Sequence, residues 1–257
     1  MFSRAFALVL AACVLASLVN CGSSQSTASK PTLRVLCGSS MADPIQKIAK
    51  DFEQQQNVEV RLDLGGCETL LPKIRLDVAA DIFVCHDPYE ENVRTEHKWA
   101  GSTPVGALEP VLVVKPGNPK QIKSLQDLTR ADLRLGIGDP RYSTCGEMFV
   151  KLLEEKNLKE NVMPQVKAQM RTHSELANGL ITGPLDAVVI WNFAAMLHED
   201  KLEVVHVPEK YQTVRVTIVG LSKSENPALR DKFIEFCKSE KVQTLFKEYG
   251  YVAGSTK

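Results

Sequence analysis

An α/β fold in two lobes, each a mostly parallel sheet flanked by helices, is what this sequence predicts. Three observations carry it. From Thr32 onward, runs with apolar residues alternating or unbroken exchange with stretches whose apolar residues recur every three or four positions, the periods of strand and helix. Short turns rich in Gly, Ser and Asp separate them, as in βαβ units. The pattern then restarts near Leu133 in a chain of 257 residues, a length that suits one large or two small domains.

In the first half, the expected elements are a strand over 33–36, a helix over 43–55 and an alternating strand over 58–64 (VEVRLDL). A helix over 68–76, a buried strand over 80–85 (ADIFVC) and a helix from Asp87 to about Trp99 follow. The strand over 108–114 contains Pro110, which has no N–H for a central ladder and so marks an edge or a crossover. After the Pro116-Gly117-Asn118-Pro119 turn comes a short helix over 124–128. The second half reads as a strand over 133–137, a helix over 144–156, a strand over 166–170 and a helix over 174–181. Strands over 187–190, 202–207 and 213–221 lead to one helical stripe over 226–249 (Leu229, Phe233, Phe236, Val242, Phe246). The strands near 108–114 and 213–221 are the candidate crossings between lobes. Lobe 1 is expected over 32–112 and 215–257, and lobe 2 over 113–214.

The 31 basic and 31 acidic residues cancel, so no charge footprint for nucleic acid is present. At the N-terminus, Arg4 precedes an apolar run over 5–19, and Leu18-Val19-Asn20-Cys21 is similar to a bacterial lipobox. The expectation is a signal peptide over 1–20, lipid on Cys21 and a flexible tether over 21–31, with the protein at the periplasmic or cell-surface face of a membrane. The alternative, an ordinary secretory signal, also exports the chain. Cys37, Cys67, Cys85, Cys145 and Cys237 then remain, an odd number, so at least one is free or bound to something.

Four strand-to-helix junctions look alike: Gly38-Ser39-Ser40, Gly65-Gly66-Cys67-Glu68, the stretch from Gly138 through Thr144-Cys145 to Glu147, and Thr172-His173-Ser174-Glu175. The first N–H groups of a helix lack intrahelical partners, and the helix dipole places partial positive charge there, so such a turn can seat an anion. The plainer reading is capping, with Ser40, Thr144 and Thr172 as caps and Glu147 and Glu175 completing capping boxes. Four junctions in two lobes point to a clamp for a small oxyanion in the cleft between them.

The chain resembles the periplasmic molybdate-binding component of bacterial ABC importers. The resemblance runs from Leu33 to Tyr251 through LRVLCGSSMADPIQKIAKDFE (33–53), LGGCETLLPKI (64–74), AADIFVCHD (79–87), LVVKPGNP (112–119), LGIGDP (135–140) and LDAVVIW (185–191). It implies a two-lobed periplasmic-binding-protein fold of class II type that closes on molybdate or tungstate, held by hydroxyls and main-chain N–H groups. Carried over by position, Ser40 falls on the first-turn serine, Cys67 on the second serine, Cys145 and His173 on main-chain donors, and Trp191 on a tyrosine whose hydroxyl reaches the anion. The candidate oxyanion residues are therefore Ser39, Ser40, Cys67, Cys145, His173 and Trp191. A thiol donates less well than a hydroxyl, and the Glu68 carboxylate repels a dianion unless it points away or is protonated. The implied partners are the small oxyanion, an importer permease and, through lipid, the membrane. No cofactor, no enzymatic activity and a monomer are expected.

Three other readings stay open. Cys37, Cys67, Cys85 and Cys145 all lie near strand ends and form a soft-ligand set for a metal or a thiophilic oxyanion. Alternatively they are buried packing residues, or Cys37 and Cys85 form a disulfide between neighbouring strands. An enzyme using a cleft cysteine is the remaining rival; Cys85 and His86 cannot pair directly, since consecutive strand residues face opposite ways.

Overall fold

The computed structural model describes residues 30–253. The expected signal peptide, the lipid-bearing Cys21 and the tether up to residue 29 lie outside the described residues. The first strand, β1 (Thr32–Gly38), is apolar where both its faces are covered. It runs through a three-residue 3-10 turn (Ser39–Met41) into α1 (Ala42–Gln56), whose stripe Ile45, Ile48, Ala49 and Phe52 is buried as its spacing predicts. Asn57 ends the helix in the left-handed region (φ 52°), which Asn tolerates.

Then come β2 (Glu59–Gly65), α2 (Cys67–Arg75), β3 (Ile82–His86), α3 (Tyr89–Thr95), β4 (Trp99–Leu108) and β5 (Pro110–Val114). The second half has β6 (Leu135–Gly138), α4 (Thr144–Glu155), α5 (Lys159–Val162), β7 (Val166–Met170), α6 (His173–Thr182), β8 (Ala187–Trp191), α7 (Asn192–Met196) and β9 (Glu203–Val205). The chain returns through β10 (Val214–Leu221) to α8 (Pro227–Cys237) and α9 (Glu240–Glu248).

Two five-stranded sheets result, in the orders β2-β1-β3-β10-β4 and β7-β6-β8-β5-β9. They have the same plan. In each, a central parallel trio (β2-β1-β3, β7-β6-β8) is extended by a strand antiparallel to it (β10, β5) and then a further antiparallel strand. The sheets are thus mixed, with one strand in each, β10 or β5, running against the other four. The chain crosses between them twice, at Glu109 and over 206–213. Pro110, read as an edge or crossover residue, is the first residue of β5, directly after the first crossing.

The structure departs from expectation in two places. The helix expected up to Trp99 stops at Thr95, and residues 99–108, of which only Leu108 was predicted as strand, form the edge strand β4. Its Pro104 is accommodated by a register shift opposite Val216/Thr217, and bulges at edges are where a strand tolerates proline. The single C-terminal stripe is two helices, broken before the extended Ser239; both pack on one core, so periodicity alone cannot show the break. Asp81 is buried: it accepts the Arg34 N–H (2.7 Å) and the Ser224 hydroxyl (2.6 Å), tying β1 to the segment after β10.

Candidate functional site

The site is best built from where each helix begins. After β1, the Ser39 and Ser40 hydroxyls make no hydrogen bond to any described residue, and neither helix start there is capped by a side chain. Ser40 is therefore not the cap that its position suggested. Ser39 is exposed and Ser40 half-buried. Gly38 is required for a close approach: a Cβ there would lie 2.8 Å from the Cys67 sulfur and overlap the end of Met41. That brings the start of α2 against the start of α1. Gly66 precedes α2 without a side-chain cap, and the Glu68 carboxylate folds back over it so closely that a Cβ on Gly66 would overlap its oxygens. Glu68 thus lies at its own helix N-terminus.

In the other sheet, α4 is capped by Ser143, which accepts the Gly146 N–H (3.3 Å), and not by Thr144 as the Thr144/Glu147 spacing suggested. The Thr144 hydroxyl instead meets the Tyr89 hydroxyl across the cleft. Gly146 presses on β6: a Cβ there would overlap the Gly138 carbonyl. Helix α6 has the capping box that its sequence predicts, with the Glu175 N–H donating to Thr172 Oγ1 (3.3 Å) and the Thr172 N–H donating to the Glu175 carboxylate (3.3 Å). Thr172→Ala should cost about 1 kcal/mol of stability, measured by chemical denaturation, since it removes the side-chain cap of this helix start.

A chain of contacts joins these four starts. The Tyr251 hydroxyl donates to the Ser40 carbonyl. Tyr251 stacks on Phe193 (5.8 Å between centroids, 11°), and Phe193 meets His173 (6.4 Å). Trp191 lies between His173 (5.9 Å) and His86 (6.0 Å), and His86 packs edge-on to Tyr89 (5.4 Å). Trp191 is the last residue of β8 and only 2% exposed. Of the predicted residues, Ser40, His173 and Trp191 come together through these contacts, and Cys67 joins them through the His86 main-chain amide. Cys145, fully buried behind Thr144, is within the field of Tyr211 and makes no contact with the other thiols. Ser39 stands at the outer end.

Burial dominates the electrostatics. It pushes Cys67 up to about 12, with Glu68 adding to the effect. It also raises Tyr89 to about 12, helped by the neighbouring Cys67 and Glu68. Burial lowers His86, whose Nδ1 bonds the Asp87 carbonyl (2.8 Å). His173 falls to about 3 through burial and the nearness of His86, and its Nδ1 is sealed from solvent with no hydrogen-bond partner among the described residues. At neutral pH the cleft therefore holds neutral imidazoles, neutral thiols and a neutral phenol.

The cysteine readings are corrected by this geometry. All five described cysteines are free and buried. Cys37 cannot bridge to Cys85: it is in register with Val84, so Cys85 projects from the opposite face of the sheet. Among the described residues no group of three or more His, Cys, Asp or Glu side chains is disposed to hold a metal ion. The set Cys37, Cys67, Cys85 and Cys145 fails as a metal centre because Cys145 belongs to the other sheet and burial holds every thiol protonated. The same protonation disfavours a nucleophilic thiolate.

Sequence reasoning overlooked Tyr89, Phe193 and Tyr251 as cleft residues and treated His86 only as a neighbour. His86 ends a strand beside the cleft, a usable signal. Phe193 and Tyr251 sit far apart in sequence, and no local pattern could have paired them.

Two mixed α/β sheets joined by two crossings, with helix N-termini meeting between them, define a two-lobed binding protein rather than a single-sheet domain. The chain belongs to the bacterial extracellular solute-binding protein family, which it matches over residues 33–252. It is 25% identical over 255 residues to the molybdate-binding protein ModA of Mycobacterium tuberculosis, covering 95% of both chains. It is 22% identical to the Bacillus subtilis protein YvgL, provisionally named an ABC transporter substrate-binding lipoprotein, over 98% of this chain and 100% of that one. In fold it superposes on the periplasmic binding protein AfuA of Actinobacillus pleuropneumoniae, solved with fructose-6-phosphate, with a TM-score of 0.75 at 17% identity, over 87% of this chain and 84% of AfuA.

Proposed function

We propose that this protein captures a small tetrahedral oxyanion, molybdate or tungstate, and delivers it to an ABC importer. The observation that carries the reading is the run of contacts linking four helix starts, at Ser40, Cys67, Thr144-Cys145 and His173, with no lysine or arginine taking part in those contacts among the described residues. Free N–H groups at helix N-termini bind anions by hydrogen bonding and dipole, and burying a dianion demands many donors. The ModA relative supports the choice of anion, and YvgL supports the importer and a lipid anchor at Cys21.

In this reading Glu109 and 206–213 are the hinge, and the two sheets with their helices are the lobes. Ligand bridging both lobes favours the closed form by its differential affinity for it, and the Tyr89–Thr144 and His86–Trp191–His173 contacts belong to that closed form. A thermal-shift panel tests the reading. Molybdate or tungstate at about a thousand times its dissociation constant should add about 4 kcal/mol of stability, with sulfate, phosphate, fructose-6-phosphate, zinc and copper(I) giving less. A shift with zinc or copper alone, or with the sugar phosphate alone, would overturn it.

A further inference from the structure

We propose that the cleft takes up its oxyanion together with one solvent proton, held by the imidazole pair His86 and His173, which flank Trp191 from opposite sheets. The inference rests on the oxyanion reading above and adds a proton to it. Charge balance and an unpaired nitrogen motivate it.

The rim of the cleft is acidic. Tyr89 feels both Glu68, from α2, and Glu147, from α4. The nearby guanidinium groups are already engaged. Arg141 is held by Asp139 (2.6 Å), Arg171 lies over the Tyr142 ring (3.9 Å), and Arg215 pairs with Glu90 (3.2 Å) and Asp87 (3.4 Å). A dianion would therefore meet carboxylates at the edge of the cleft, with these three guanidinium groups already engaged. Helix dipoles offset part of the desolvation cost, and an imidazolium offsets much more.

The two rings suit that task. In His86 the Asp87 carbonyl fixes the proton on Nδ1, which leaves Nε2 as the nitrogen that can accept another. In His173 the Nδ1 atom is sealed from solvent and has no hydrogen-bond partner among the described residues, an unsatisfied buried group that a ligand oxygen would satisfy once the nitrogen carries a proton. The groups facing His173 are His86, Trp191 and Phe193. Those facing His86 are Asp87, Tyr89, Trp191 and, through its main-chain amide, Cys67. Since each ring opposes charge on the other, the pair takes one proton and not two. A dianion within about 4–6 Å favours the charged form, and burial favours the neutral form when the cleft has no anion.

Linkage then fixes the sign. Both histidines titrate low in the protein without ligand and higher with it, so affinity increases as pH falls between those two values. The experiment is calorimetric titration with sodium molybdate, and in parallel sodium sulfate, in two buffers of different ionisation enthalpy. Between about pH 8 and about pH 6 the affinity should rise at least tenfold, with uptake of about one proton per anion bound. The double variant of His86→Gln and His173→Gln should bind with no pH dependence. Histidine ring proton resonances in the parent protein give the same answer without any substitution: molybdate should move one of these rings to its charged position. Unchanged affinity and no proton uptake overturn the inference and leave the oxyanion reading standing. A pH dependence that persists in the double variant overturns the assignment to these rings. No binding of either anion at any pH overturns the oxyanion reading itself.

Discussion

Ser40→Ala should weaken molybdate binding ten- to a hundredfold and shift unfolding stability by less than about 1 kcal/mol. The asymmetry follows from how the hydroxyl is used. It has no hydrogen-bond partner among the described residues and caps no helix, so the fold loses little without it. A hydroxyl donating to a charged oxyanion contributes about 1.5–3 kcal/mol, which is that range of affinity. Calorimetry and chemical denaturation on the same variant read the two effects separately. Unchanged affinity removes Ser40 from the site. A stability loss as large as the binding loss makes it a structural residue instead.

Glu68→Gln should act in the opposite direction and tighten dianion binding by a similar factor at about pH 8, where the histidine contribution is smallest. The Glu68 carboxylate lies over Gly66, against the first N–H groups of α2, so it sits where a bound oxyanion would draw on that helix. Two charges about 4 Å apart at an effective dielectric near 20 repel by about 4 kcal/mol, and the half-exposed position with ordinary salt cuts this to about 1.5–3 kcal/mol. Glutamine keeps the shape and removes the charge. The gain should shrink as salt is added, a signature that a packing change would lack. Weaker binding in this variant would mean that the carboxylate accepts a hydrogen bond from the ligand, and the ligand would then be an oxyanion that carries its own proton or hydroxyl.

The fold was legible because period and burial coincide. The stripe Ile45, Ile48, Ala49, Phe52 and the apolar run of β3 are each read by their own spacing, and both are buried as expected. The failures are at residues whose state depends on distant partners. Residues 99–108 contain Gly101, Pro104 and Gly106, poor strand formers by themselves, and become β4 because β10 pairs with them on one side and Val252 meets Ala107 on the other. The mixed direction of the sheets likewise comes from β5 and β10, whose pairing no local pattern encodes.

The site divides along the same line. Thr172 and Glu175 are neighbours in sequence, and their capping box was predicted and found. Ser143 and not Thr144 caps α4, the helix that Gly146 lets press on β6, and the Thr144 hydroxyl is left to meet Tyr89. The cysteines misled for a chemical reason. Their position at strand ends suggested ligands, yet a thiol buried without a positive neighbour stays protonated and packs as a small apolar group.

Crystals of the protein grown with molybdate, with the metal located by its anomalous scattering, test the central claim most directly. The account predicts a single peak between the lobes, its oxygens within about 3.1 Å of the main-chain N–H groups that open α1, α2, α4 and α6, and no lysine or arginine among its partners. A peak on the outer surface, or one held by guanidinium or ammonium groups, would contradict it.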